Sequence, residues 1–181
     1  MENKLYLLRE IYDSLSYTLY EEALNFFSHD NVFLIGDRRV GKTTMSFIDA
    51  ILEGILHDNK RIGIYTDRVA ISVHFDLLAS FCNELGMEYS KNSYDKMIFL
   101  PNGSTIKITN SLPNHRGDNF DYIVADVHLM DAYSYDDILH KCRCRDFKII
   151  VGQQTQFVRN YLEINPDDSL IIFISSTNIG A

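Results

Sequence analysis

At residues 36–44 the chain reads Gly36-Asp37-Arg38-Arg39-Val40-Gly41-Lys42-Thr43-Thr44. This stretch fits the pattern Gly-x-x-x-x-Gly-Lys-Ser/Thr, in which both glycines permit backbone angles that other residues resist. The N–H groups of such a loop turn inward around a phosphate group, and the helix that follows presents its N-terminus to the same anion. The stretch therefore predicts a phosphate-binding loop between a buried strand and a helix.

Side chains in and beyond this loop predict what the site binds. Lys42 is expected to reach the β- and γ-phosphates of ATP, and Thr43 to offer its hydroxyl to Mg²⁺. Asp126 ends the apolar stretch 122–125, where a carboxylate can hold the same ion directly or through water. A turn or helix-capping aspartate is the alternative interpretation of Asp126. All the loop residues from Gly36 to Thr44 are expected to contact the nucleotide.

Strands and helices are predicted to alternate around the loop. Apolar runs of strand length occupy residues 32–35, 61–66, 120–125, 147–151 and 170–174. Apolar residues at helical spacing predict helices over 43–56, 69–85, 136–142 and 156–162, and an amphipathic helix within the N-terminal segment 1–30. Strands over 97–100 and 105–109 flank Pro101-Asn102-Gly103-Ser104, which predicts a hairpin.

This alternation predicts the fold class. Near-continuous apolar strands are typical of a mainly parallel sheet that helices cover on both faces. Together with the loop, they indicate an α/β fold, namely a three-layer P-loop NTPase of the RecA-like or ASCE type with an inserted β-hairpin. The length of 181 residues suits one domain, so we expect residues 1–181 to form a single P-loop ATPase domain.

Composition limits the classes of function. A net charge of −8 argues against a surface that holds nucleic acid by bulk charge, although a local basic groove is compatible with it. The sequence has no apolar run of about 18 residues, so neither a membrane-spanning helix nor a membrane partner is predicted. The cysteines, Cys82, Cys142 and Cys144, are few, which favours a reducing intracellular compartment.

Several motifs, taken in order, resemble those of one family. They are an arginine-containing loop at 38–43, Asn102-Gly103-Ser104 followed by Arg116-Gly117-Asp118, the strand that ends at Asp126, and Phe173-Ile174-Ser175-Ser176-Thr177-Asn178. In this arrangement the chain resembles the ATPase domain of the large subunit of viral DNA-packaging terminases, particularly the herpesvirus-like branch. The resemblance extends from about residue 32 to residue 178.

The resemblance implies catalytic tasks for Arg38, Lys42 and Asp126. Lys42 would bind the phosphates, and Asp126 would hold Mg²⁺ together with Thr43. Arg38 is placed like the arginine with which the family stabilises charge on the γ-phosphate, and Arg39 competes for the same task.

A coupling motif and partners are also implied by the resemblance. Residues Ser175, Ser176 and Thr177 look like the family's motif that links hydrolysis to DNA movement. Double-stranded DNA would be bound transiently, and other terminase subunits, the capsid portal and a homo-oligomeric ring are expected partners. A herpesvirus-like protein of this kind would act in the host nucleus. Terminases continue into a nuclease domain, and none is expected within residues 1–181.

One position departs from the family at the reaction centre. Terminases carry a glutamate directly after the metal-binding aspartate, where it activates the attacking water, and here that position is Val127. A missing general base costs about 10²–10⁴ in rate. Three explanations are open: weak hydrolysis, another carboxylate such as Asp131, or a glutamate supplied from elsewhere in an assembly. The next residue, His128, is interpreted as a surface histidine.

Two further departures leave alternatives open. The family's glutamine before the loop is absent, because the first glutamine is Gln153, so base recognition must differ. Candidates for stacking on a base are Tyr6, Tyr12, Tyr17 and Tyr20, although tyrosines of an amphipathic helix usually belong to the core. Residues 147–151 either form the strand after Asp126, with 152–154 in a sensor position, or belong to a longer connection.

The functions that remain differ in class. A packaging-type motor ATPase is the first hypothesis. The alternative, which Val127 favours, is a nucleotide-binding but catalytically weak subunit with a regulatory or structural role, and another P-loop ATPase of the helicase or recombinase type is the third. A GTPase is disfavoured because Asn59-Lys60 is followed by Arg61-Ile62 and does not form the guanine-binding motif Asn-Lys-x-Asp.

Overall fold

The computed structural model describes residues 2–36, 41–110, 119–132, 135–136, 138, 147–153, 155–164 and 170–174. Its strands are β1 (Val32–Gly36), β2 (Arg61–Thr66), β3 (Ser90–Asn92), β4 (Met97–Phe99), β5 (Thr105–Thr109), β6 (Tyr122–Leu129), β7 (Phe147–Gln153) and β8 (Leu170–Ile174). Its helices are α1 (Glu2–Ser14), α2 (Glu21–Ser28), α3 (Lys42–Leu56), α4 (Ile71–Glu84) and α5 (Gln156–Ile164), with a short 3-10 helix, Arg68–Ala70, before α4. The predicted helix over 136–142 lies largely outside the described residues. Among those residues, no helix has the length and apolarity that a bilayer crossing requires.

These strands form one sheet in the order β3-β4-β5-β2-β6-β7-β1-β8. From β5 across to β8 the neighbouring strands are parallel. At the other edge β4 pairs antiparallel with β5, which is the predicted hairpin, and β3 pairs antiparallel with β4. Because β7 lies between β1 and β6, residues 147–151 form the strand that follows Asp126 and not part of a longer connection. The mainly parallel sheet with its added hairpin confirms the predicted fold class.

Apolar clusters on both faces of the sheet make the fold three-layered. Successive residues of β1 belong alternately to one cluster and to the other. Val32 and Leu34 belong to the cluster that contains α1 to α4, and Phe33 and Ile35 belong to the cluster that contains Val158 of α5. Because both faces are covered, the central strands are apolar at successive positions and not only at alternate ones.

The strand bounds agree with the sequence pattern at most places. The predicted strands 61–66, 105–109 and 170–174 are confirmed at both ends. The strand β6 differs, because it continues past Asp126 to Leu129 and pairs with β7 as far as Gln153. Asp126 therefore lies inside the strand and not at its end. The short polar strand β3 has no apolar pattern that predicts it.

The N-terminal segment is helical, as predicted, but it forms two helices. Ser16 has φ of 55°, in the left-handed region, directly after α1. The N–H of Ser16 donates to the carbonyl of Asp13 at 3.1 Å, and that of Tyr17 donates to the carbonyl of Tyr12 at 2.9 Å. These are the two bonds of a Schellman motif, which ends α1 although the apolar spacing continues into α2.

A buried ion pair fixes α3 to the sheet. Lys148 of β7 and Asp49 of α3 meet at 2.7 Å, with both side chains fully buried. The hydroxyl of Tyr122 donates to the other oxygen of Asp49, and the Lys148 ammonium lies 4.6 Å from the ring centre of Phe26. Burial lowers the pKa of Lys148, while the Asp49 carboxylate acts in the opposite direction. The helix that carries Lys42 is thus anchored by polar groups that must stay paired.

Removing one partner of this pair is expected to destabilise the fold. Lys148→Met leaves the Asp49 carboxylate buried, with Tyr122 still donating to it, so the free energy of unfolding should fall by about 3 kcal/mol. The double variant Asp49→Leu/Lys148→Met removes both charges and should recover most of that loss. Urea unfolding followed by circular dichroism measures both variants, and a double variant no more stable than Lys148→Met would contradict the prediction.

A second charged cluster lies at the far end of α3. Lys4 and Lys60 lie 2.8 and 2.6 Å from the carboxylate oxygens of Glu53, whose side chain is 8% exposed. Burial raises the pKa of Glu53, but the two lysines outweigh burial and lower that pKa to about 2. Because the folded-state pKa lies below the ordinary value of 4.5, ionised Glu53 stabilises the fold above that pH, and the contribution is lost as the pH falls toward about 2.

Glu53→Gln should therefore destabilise the protein in a pH-dependent way. At pH 7 we expect a loss of about 2 kcal/mol, because two partly buried ammonium groups lose their counter-charge. The difference from the native chain should shrink as the pH falls from 4.5 toward 2. Denaturant unfolding at pH 7, 5 and 3.5 measures this, with Glu84→Gln at the exposed end of α4 as the control. A difference that does not depend on pH would show that Glu53 acts through packing alone.

Candidate active site

A cleft of about 410 Å³ opens at the carboxyl ends of the parallel strands. Its lining comes from different elements, namely residues 41–44 at the start of α3, 66–67 after β2, 70 and 74 at the start of α4, 126–128 of β6 and 152 of β7. Ligands of open α/β sheets bind at this edge, because the carboxyl ends of parallel strands converge there. The cleft is therefore the candidate active site.

The backbone enters α3 through Gly41. This glycine has φ of 76°, in the left-handed region that a side chain resists, and its carbonyl accepts the N–H of Met45 at 2.9 Å. The first N–H groups of a helix have no acceptor within it, and here residues 41–44 line the cleft, so α3 presents an anion-binding terminus to it. The remaining loop residues, Asp37, Arg38, Arg39 and Val40, lie outside the described residues, and their contacts stay predictions.

Lys42 folds back across the loop. Its Nζ donates to the carbonyl oxygen of Gly36, the last residue of β1, at 2.8 Å. The ammonium group thus lies between the end of β1 and the start of α3, where Lys42 also lines the cleft. A lysine in this place adds a point charge to the helix terminus, and the two together suit a polyphosphate.

Thr43 and Asp126 meet across the cleft. The Thr43 hydroxyl donates to Oδ2 of Asp126 at 2.6 Å, which joins the first turn of α3 to the interior of β6. Asp126 is 9% exposed and pairs in register with Thr66 of β2 and Ile150 of β7. The parallel register therefore brings together the two predicted metal-binding residues, which are distant in the sequence.

The chemistry of this pair fits a magnesium ion. Mg²⁺ prefers oxygen ligands, keeps several waters, and is commonly held by one or two protein groups together with substrate phosphates. A hydroxyl and a carboxylate are two such ligands. In the described part of the chain, no group of three or more His, Cys, Asp or Glu side chains is arranged to hold a metal. Phosphate oxygens of a bound polyphosphate, together with water, would complete the coordination of such an ion.

Burial and neighbouring charges in the cleft shift the pKa values of Asp126 and His74. Burial raises the pKa of Asp126, while the Thr43 hydrogen bond, His74 and Lys42 act to lower it. Burial lowers the pKa of His74, against the attraction of Asp126 and Asp67. A cation beside Asp126 would favour the charged carboxylate and offset the cost of its burial. Perturbed groups gathered in one cleft are typical of a functional site.

The structure adds residues that the sequence analysis did not single out. His74 of α4 lies 3.0 Å from the Thr66 hydroxyl through Nδ1 and packs edge-on against Phe47. Asp67 accepts the N–H of His128 at 3.1 Å through Oδ2. A usable signal existed in the sequence, because the polar pair Thr66-Asp67 closes the apolar strand β2 just as Asp126 follows its own apolar run.

Val127 follows Asp126 in β6 and also lines the cleft. Its side chain is 4% exposed and belongs to the apolar cluster on the side of α5, whereas Val124 of the same strand belongs to the opposite cluster with α3. The position is therefore part of the apolar core. Asp131 is exposed beyond β6, and among the described residues the carboxylates that line the cleft are those of Asp67 and Asp126. His128 is exposed, as predicted, and also lines the cleft.

The candidate tyrosines differ in their surroundings. Tyr12 is 3% exposed and belongs to the core, while Tyr6 and Tyr17 are 61% and 44% exposed. The hydroxyl of Tyr20 lies 3.8 Å from the position that a Cβ on Gly41 would occupy, so Tyr20 borders the loop. Stacking of a base on Tyr20 stays a prediction.

The sheet order and the cleft define a mainly parallel, three-layer α/β domain of the P-loop NTPase type. Large terminases have the same fold. The large terminase of a thermophilic bacteriophage aligns with a TM-score of 0.70 at 15% identity, over 91% of this chain and 48% of that one. A complex of such a terminase with ATP-γ-S aligns with a TM-score of 0.71 at 14% identity, over 89% and 46% of the two chains. A mutant ATPase domain of the Thermus phage P74-26 large terminase aligns with a TM-score of 0.68 at 12% identity, over 93% and 86%.

The chain spans about half the length of the thermophilic-phage terminases and most of the Thermus phage ATPase domain. Identities of this size show a shared fold, and the herpesvirus-like branch stays a prediction. No family model matches the sequence, and no curated protein sequence does either.

Proposed function

We propose that the chain is a terminase-type motor ATPase domain that binds ATP with Mg²⁺ and hydrolyses it to ADP and phosphate. The observation that carries the proposal is the 2.6 Å contact between Thr43 and Asp126 at the N-terminus of α3. It sets two hard oxygen ligands beside an anion-binding helix end and Lys42. The shared fold supports the same conclusion, since solved terminases with that fold include complexes with ADP and with ATP-γ-S.

Each residue of the cleft then has a task in phosphoryl transfer. The helix terminus and Lys42 hold the β- and γ-phosphates, and Thr43 and Asp126 hold the metal ion. Magnesium, when bound, neutralises charge on the phosphate oxygens. Arg38 stabilises the charge that develops on the γ-phosphate, with Arg39 as the alternative. This transfer depends chiefly on positioning and electrostatics, and a site built from rigid strand and helix ends supplies both.

Hydrolysis is proposed to move viral double-stranded DNA into a capsid. The strand β8 supports this link, because its last residue, Ile174, pairs in register with Gly36, the first residue of the loop. The coupling motif Ser175-Ser176-Thr177 follows directly in the sequence and lies outside the described residues. A change at the γ-phosphate therefore has a short route through Gly36 to the segment that would contact DNA.

The wider setting belongs to the same proposal. Other terminase subunits, the capsid portal and a homo-oligomeric ring would be partners, and the host nucleus would be the location of a herpesvirus-like member. The net charge of −8 means that DNA must be held by a local basic groove or by neighbouring subunits.

A second candidate is a nucleotide-binding subunit that hydrolyses ATP weakly and has a regulatory or structural role. The burial of Val127 in the apolar core favours it, because the position of the usual glutamate holds an apolar side chain that cannot activate water. Both candidates require ATP binding, and they differ in turnover.

Binding and turnover can be separated with matched lysine variants. Lys42→Ala should weaken binding of a fluorescent ATP analogue with Mg²⁺ at least tenfold and abolish ATP hydrolysis, because the phosphates lose a charged partner. Lys91→Ala removes an equal charge from the exposed hairpin and should change neither quantity. Double-stranded DNA should raise the rate of hydrolysis by the native chain.

The outcomes distinguish the candidates. Binding without turnover, with or without DNA, would contradict the motor and support the weakly catalytic subunit. Absence of binding by the native chain would contradict both.

A further inference from the structure

The apolar position Val127 leaves the proposed reaction without its usual water-activating group, yet the cleft contains a second carboxylate. We propose that Asp67 orients the attacking water and accepts its proton, in place of the glutamate that terminases carry after the metal-binding aspartate. This assignment rests on the proposed ATPase function and names the residue that completes it.

Register places Asp67 at the right level of the sheet. Thr66, the last residue of β2, pairs with Asp126 of β6. Asp67, which directly follows β2, therefore lies one residue beyond the level of Asp126, as Val127 does in β6. The Asp67 carboxylate reaches across to β6, where it accepts the N–H of His128 at 3.1 Å. The carboxylate that is absent from β6 is thus present directly after the neighbouring strand, β2.

The Asp67 carboxylate does not cap the short helix that follows it. Asp67 directly precedes the 3-10 helix Arg68–Ala70, a position in which an aspartate ordinarily accepts the first N–H groups with its side chain. Here no side-chain capping bond forms, and the N–H of Ala70 donates to the main-chain carbonyl of Asp67 instead. A carboxylate has about four acceptor sites, so the bond from His128 leaves capacity to accept from water.

The two aspartates of the cleft have different roles: Asp126 binds the metal ion, and Asp67 accepts the proton. Asp126 is 9% exposed and bonded to Thr43, as suits a metal-binding residue. Asp67 is exposed and lines the same cleft, where water has access. The two differ in environment, and this allows one carboxylate to hold the cation while the other accepts a proton.

The reaction balances with water as the only co-reactant. The water oxygen forms a bond to the γ-phosphorus, and the bond between that phosphorus and the β,γ-bridging oxygen breaks. The electron pair of the broken bond stays on ADP. One proton of the water passes to the Asp67 carboxylate and is later released to solvent, so the products are ADP, phosphate and a proton.

Asp67→Asn tests the assignment with little change in shape. The amide oxygen can still accept the His128 N–H, so thermal unfolding and the Kd for a fluorescent ATP analogue with Mg²⁺ should stay within about twofold of native values. Because the proton acceptor is lost, kcat should fall by about 10²–10⁴. Asp76→Asn removes the same charge from an exposed position on α4 and should leave kcat unchanged. Asp67→Glu retains a carboxylate and should turn over faster than Asp67→Asn.

The results that would overturn the assignment are specific. An Asp67→Asn variant with kcat within about threefold of native, or an Asp67→Glu variant as slow as Asp67→Asn, would show that Asp67 only ties β2 to β6. A native chain that binds ATP without turnover would also overturn it, while leaving nucleotide binding intact. Absence of ATP binding by the native chain would instead contradict the proposed function, and the assignment with it.

Discussion

The contact between Thr43 and Asp126 constrains the path of the whole chain. The two oxygens lie 2.6 Å apart although 83 residues separate them in the sequence. Thr43 follows β1, Asp126 belongs to β6, and β7 lies between those strands. The chain therefore leaves β1 on one side of β7 and continues in a helix, α3, that packs on β6 and β2 on the other side. Without that crossing, the N-terminus of α3 and the carboxylate of β6 would lie at separate places on the sheet edge.

The buried pair of Asp49 and Lys148 holds this crossing in place. It joins the middle of α3 to β7, and Tyr122 adds a bond from β6. Two buried charges add little net stability, because desolvation offsets their attraction. A shifted α3, however, would leave a charge unpaired, which costs about 3–5 kcal/mol. The pair therefore fixes where α3 lies, and the mouth of the cleft depends on that position.

Local patterns predicted the elements well but not their assembly. The apolar runs gave β2, β5 and β8 to the residue, and the glycine-lysine motif located the start of α3. The sequence could not show that β7 separates β1 from β6, because strand order depends on packing between distant segments. For the same reason His74 was missed, since the packing of α4 brings it to the cleft, whereas Asp67 carried a usable signal at the end of the apolar run of β2. The break after α1 depends on Ser16 adopting φ of 55°, which apolar spacing does not encode.

A carboxylate on β2 makes the reaction centre depend on α4 as well as on α3. Only the short helix Arg68–Ala70 separates Asp67 from α4. The helix α4 is held in turn by His74, which contacts Thr66 at 3.0 Å and packs against Phe47 of α3. A glutamate at position 127 would instead be held by the ladder of β6 with β7. Placing the carboxylate directly after β2 therefore exchanges a position fixed by sheet hydrogen bonds for one that depends on the bond from the His128 N–H and on the packing of α4 against α3.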